Sequence, residues 1–114
     1  MKRKVSVAGG LAAVAAAAAL VVPSIGGAAS TTVKVGDDFF SPDKKTVSAG
    51  TTVKFKWVGQ DDHNVVKQRG PGGSFASETT DAPGVNFSKK FKKSGKYKLV
   101  CTIHEGMDMV LKVN

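Results

Sequence analysis

Residues 100–114 read VCTIHEGMDMVLKVN and hold the chain's single cysteine, Cys101, one of its two histidines, His104, and two of its three methionines, Met107 and Met109. Cys101, His104 and Met109 follow the spacing C-x2-H-x4-M, and the other histidine, His63, lies far upstream. A thiolate and two imidazoles can supply a plane of three donors, with a thioether as a weak fourth. That set suits copper, because soft sulfur stabilises Cu(I) and imidazole supports Cu(II). Zinc would favour four strong donors in a tetrahedron. Met107 offers a second thioether two residues before Met109.

Each of these residues has a plainer reading when taken singly. A lone cysteine often packs as a small hydrophobe, a methionine on a strand is usually core, and a histidine ahead of a strand is often surface. Jointly, every His and Cys of the chain falls into one pattern. A thiol enzyme using Cys101 and His104 as nucleophile and base needs an accessible thiol and an orienting group. The phase of the preceding strand argues otherwise, since Tyr97, Leu99 and Cys101 share one face and Lys96 and Lys98 the other.

The elements that must carry these residues are short strands. Residues 51–58 alternate Val53, Phe55 and Trp57 against Lys54 and Lys56, the mark of a half-buried strand. Residues 32–35, 46–47, 63–66, 85–91, 96–101 and 109–113 read the same way, separated by turns such as Ser41-Pro42, Ala49-Gly50 and Ser94-Gly95. Helical periodicity is absent after the first thirty residues. The expected fold is all-β, an antiparallel Greek-key sandwich of about seven to eight strands.

A chain of 114 residues allows one domain. Residues 1–30 have the layout of a signal peptide: Lys2, Arg3 and Lys4, an Ala/Val/Leu-rich run, then Pro23, Gly26, Gly27 and small residues before Ser30. Export and a domain over residues 31–114 follow as expectations, with no membrane span once the leader is removed; retention as an anchor is the alternative. Without Lys2, Arg3 and Lys4 the chain carries 14 basic and 9 acidic residues, a net of +5. This mixed charge favours an acidic partner and does not indicate nucleic acid. A domain this small often needs a disulfide or a metal. One cysteine cannot close an internal disulfide, and an exported thiol needs something to hold it.

The chain resembles the small blue copper proteins (cupredoxins) of the plastocyanin and pseudoazurin type. The motifs that carry this are the C-x2-H-x4-M spacing, GKYKLVC leading into it, DDHNVV around the first histidine, and FSP with TVSAGTTVKFKW nearer the start. The resemblance implies a copper ion held by His63, Cys101 and His104, with Met109 as the axial ligand and Met107 as a non-ligating neighbour. It also implies that Asn64 and Thr102 tie the two ligand segments together. Ile103 stands where many relatives have proline.

The expected function is therefore single-electron transfer outside the cytoplasm by a monomer, with no substrate transformed. The alternative is a copper carrier or scavenger using the same ligands. The edge of His104 is the expected electron port, with Ile103, Met107, Gly36 and Pro71 as an apolar docking patch. Lys67 and Arg69 would receive a redox partner with an acidic docking face. The lysines of SKKFKKSGKYK would form a solvated face that discourages edge pairing.

Overall fold

Alternation of apolar and charged residues becomes eight strands in a computed structural model that describes residues 29–114. They are β1 Ser30–Gly36, β2 Phe39–Ser41, β3 Lys44–Val47, β4 Thr51–Trp57, β5 Val66–Arg69, β6 Gly84–Phe91, β7 Gly95–Val100 and β8 Asp108–Val113. There is no helix among the described residues. The expectation of a leader over residues 1–30 falls almost wholly outside them.

The strands form two four-stranded sheets, ordered β2-β1-β4-β6 and β3-β8-β7-β5. The β-sandwich is as expected, but it is not purely antiparallel. β1 pairs parallel with β4, and β3 pairs parallel with β8. The reason is connectivity: the chain leaves the first sheet after β2, places β3 in the second, and returns to lay β4 beside β1. Hydrophobic alternation fixes which face of a strand is buried and says nothing about its direction.

The inward residues of both sheets meet in one core. Val33, Val35, Val53, Phe55, Trp57 and Phe91 come from the first sheet, and Tyr97, Leu99, Met109, Leu111 and Val113 from the second. Burying each large apolar side chain contributes about 1.5–3 kcal/mol. The Phe91 and Tyr97 rings meet edge to face at 5.1 Å, and the Tyr97 hydroxyl donates to the Lys93 carbonyl at 2.7 Å, pinning the β6–β7 turn.

β4 and β7 both finish at the same end of the sandwich, and the segments holding His63 and Cys101 leave from there. This is the site end. The far end carries the β6–β7 turn and the start of β1.

Candidate metal centre

His63 follows β4 but is not held by a regular strand. Its N–H donates to the Thr80 carbonyl at 3.0 Å, and its carbonyl accepts from the Thr80 N–H at 3.1 Å. The expected strand over 63–66 is thus an isolated bridge at His63, and β5 begins only at Val66. The Trp57 indole N–H donates to the same Thr80 carbonyl at 2.8 Å. His63 is 0% exposed, so its ring is fixed by packing as well as by its backbone.

Cys101 stands just past β7, and its N–H donates to the Met107 carbonyl at 2.9 Å. Between them residues 102–106 form the turn that carries His104. Gly106, at φ 78°, supplies the left-handed conformation that brings the chain back into β8. The Met107 N–H donates to the His104 carbonyl at 3.3 Å, closing the loop from inside.

These two segments bring Cys101 Sγ to 3.9 Å from His63 Nδ1 and 3.5 Å from His104 Nδ1. All three donor atoms lie within 4.8 Å of one another. Bonds of about 2.0 Å to nitrogen and 2.3 Å to thiolate, spread over a trigonal plane, would put donors about 3.7 Å apart. The cluster is therefore already of the size one metal ion needs. Cys101 is buried, which removes the accessible thiol a nucleophile would require. The His104 side chain is 25% exposed, the most open of the three.

Two thioethers, Met107 just before β8 and Met109 within it, lie on the chain that returns from the ligand loop. β7 and β8 pair Tyr97 with Leu111, Leu99 with Met109 and Val100 with Asp108. Continuing that register places Met107 opposite Cys101, as the Cys101–Met107 hydrogen bond shows. Residues directly opposed across an antiparallel pair project to the same face. Met107 and, one pair deeper, Met109 opposite Leu99 therefore both turn to the face that carries Cys101. Both are 1% exposed, so burial does not separate them.

Asn64 joins the two ligand segments, as the resemblance implied. Its Nδ2 donates to Thr102 Oγ1 at 2.9 Å and to Thr79 Oγ1 at 3.3 Å, and its Oδ1 accepts from the Thr102 N–H at 2.9 Å.

Asp37 is a participant that sequence reasoning missed. It sits in the β1–β2 turn, 26 positions before His63, where a Gly-Asp-Asp run signals only a turn. Its Oδ1 accepts from the Gln60 N–H at 2.9 Å and the Asp61 N–H at 3.0 Å, and lies 3.0 Å from His63 Nε2. A carboxylate can only accept, so His63 carries its proton on Nε2 and turns a free lone pair on Nδ1 toward Cys101. The Asp61 N–H, then His63, holds the Asp37 carboxyl below its ordinary value. Gly59 permits the approach: an added Cβ there would overlap the Asp37 carboxylate. Asp38 performs a looser version of the same act, with Oδ1 3.6 Å from His104 Nε2.

The surface around His104 also differs from expectation. Met107 is buried, and Pro71 packs against Gly95 at the far end, so neither is part of an apolar patch here. The exposed large hydrophobes are Ile103, Phe39, Val58 and Val85, all at the site end. The Lys67 ammonium donates to the Pro71 and Gly72 carbonyls at 2.8 Å, turned away from the cluster. Arg69 pairs with Lys98 further along the same strand.

Comparison with known proteins bears on this geometry. Residues 28–114 match the family of copper binding proteins described as plastocyanin/azurin. A plastocyanin from the fern Dryopteris crassirhizoma is 36% identical over 95 residues, covering 68% of this chain and 91% of that protein. A mutant fern plastocyanin of known structure superposes with a TM-score of 0.62 at 32% identity, covering 74% of this chain and all of that one. A reduced amicyanin mutant superposes with a TM-score of 0.67 at 22% identity, over 77% of this chain and 83% of that one, a likeness of fold.

Proposed function

As this chain belongs to the plastocyanin/azurin family of copper-binding proteins, we propose that it is an exported carrier of single electrons and not an enzyme. The cofactor is a single copper ion of the type 1 kind, which supplies the Cu(II)/Cu(I) couple. We assign the three strong ligands to His63 Nδ1, Cys101 Sγ and His104 Nδ1, and the weak axial one to the Met109 thioether, which the C-x2-H-x4-M spacing supports. The observation that carries this reading is the convergence of the three donor atoms within 4.8 Å of one another.

The chain's own residues do three things for this function. His63, Cys101, Asn64 and Thr102 lock the donors in place, so that little has to move when an electron arrives. The core around Cys101 and Met107 excludes water from sulfur. The partly open ring of His104 supplies the route to a partner, through a surface where Ile103 is exposed.

That surface carries Asp37, Asp38, Asp61, Asp62 and Glu105. It favours a redox partner with a basic rim, in place of the acidic docking face expected from Lys67 and Arg69. Complementary charge would steer the encounter and weaken with salt.

The visible spectrum of the copper-loaded protein is the test. An intense thiolate-to-Cu(II) band that bleaches on reduction and is abolished by Cys101→Ser is expected. A colourless Cu(II) complex would sink the type 1 assignment. Metal exchange within seconds under physiological chelators would favour the carrier reading instead.

A further inference from the structure

The charges of the domain are segregated along its length. All nine acidic residues avoid the far end: none occurs in residues 30–33, 48–54, 88–97 or 111–113, which form it. Lys89, Lys90, Lys92, Lys93, Lys96 and Lys112 do occur there. The only ion pair made by a lysine among the described residues is Lys98–Asp108, at 3.8 Å. Lys96 and Lys112 even stand directly opposite each other across β7 and β8, where like charges repel. Lys89, Lys90, Lys92 and Lys93 also line an open groove of about 590 Å³ beside Tyr97.

The polypeptide enters the domain at this same end. The Ala29 carbonyl accepts from the Thr52 N–H at 3.0 Å, Ser30 pairs with Thr52, and Thr52 pairs with Lys90. The described chain therefore begins beside the unpaired lysines.

We propose that the far end is a docking surface for an anionic lipid bilayer, which holds the site end outward. Clustered lysines without acidic neighbours are what a negatively charged lipid surface attracts. The seven residues of β4 span about 20 Å. The acidic site end thus stands beyond the Debye length of about 8 Å, clear of repulsion by the lipid charge.

The test uses the full chain, loaded with Cu(I), and vesicles of phosphatidylcholine alone or mixed with phosphatidylglycerol. Partitioning should be stronger on the anionic vesicles and fall as salt rises. Apolar attraction acts on both vesicle types, so the ratio isolates the charge. Each lysine near such a surface is worth about fivefold in partitioning. Reversing Lys92 and Lys93 to Glu in the turn should therefore lower the ratio about 25-fold or more. Reversing Lys34 and Lys56, exposed toward the site end, changes net charge equally and should leave most of it. With gadolinium-bearing lipid in the vesicles, amide signals of residues 92–95 should broaden and those of residues 102–106 should stay sharp. Equal partitioning on both vesicles, equal effects of the two double reversals, or equal broadening at both ends would overturn the proposal. Displacement by a soluble acidic polysaccharide at equal charge concentration would also overturn it, assigning the lysines to a polymer.

Discussion

Asp37 Oδ1 lies 3.0 Å from Nε2 of His63, on the opposite side of the ring from the nitrogen that faces Cys101. One carboxylate thereby selects a tautomer, fixes a ring plane and ties down the backbone of Gln60 and Asp61. Groups that orient a metal-binding histidine in this way typically contribute 10–100-fold in metal affinity. Asp37→Ala should weaken copper binding by about that factor, and Asp37→Asn, which keeps an acceptor oxygen, by less. Nitrogen NMR of the metal-free protein should show His63 losing its single tautomer in Asp37→Ala. An unchanged tautomer and affinity would reduce Asp37 to a turn residue.

Met107 and Met109 can be separated by two different measurements. Met109→Leu should shift the reduction potential and the visible spectrum, because it removes the proposed axial thioether. Met107→Leu should leave both nearly unmoved and cost under about 1.5 kcal/mol of stability, as volume-conserving core exchanges do. Redox titration and thermal unfolding of both variants decide it. A larger potential shift for Met107→Leu would move the axial role to that residue.

Asn64 makes hydrogen bonds to both the side chain and the backbone of Thr102. Asn64→Ala would leave the Thr102 N–H and two hydroxyls without this partner, in a part-buried site. The loss should be about 1–3 kcal/mol, read by denaturant unfolding of the metal-free protein. A broader visible band in the copper-loaded variant should accompany it, because the loop carrying His104 is then free of the His63 segment. Wild-type stability and spectrum together would show that the two segments are held by packing alone.

Copper binds the folded donor set and not the unfolded chain, so its removal should lower the melting temperature. Scanning calorimetry of metal-free and loaded protein measures the difference. Cys101→Ser should melt near the metal-free temperature in both conditions. Coincident melting of the loaded and metal-free wild type would mean that the cluster does not retain metal.

Much of this was legible in the sequence because alternation reports burial directly. The inward phase of Tyr97, Leu99 and Cys101, and the strand over 51–58, are there to be read. The choice between the two methionines rests on the C-x2-H-x4-M spacing alone. Met107, Met109, Leu111 and Val113 share one phase, so alternation and burial treat both thioethers alike. The parallel partnership of β1 with β4 was hidden for a related reason, since strand direction leaves no periodic trace. Asp37 was hidden because its contact with His63 is long-range, and a turn aspartate looks the same whether or not a ring lies over it.

The chain has one tryptophan, and its indole N–H shares the Thr80 carbonyl with the backbone N–H of His63. Trp57 is 2% exposed and the acceptor is common to both donors. The protein therefore carries an intrinsic fluorophore wired to its first ligand. Emission from this indole should be blue-shifted while the Thr80 carbonyl holds both donors, and should move to the red when they part. A change in intrinsic fluorescence thus reports the state of the His63 segment without a dye, a label or a visible band, and does so equally well in protein that has never met a metal.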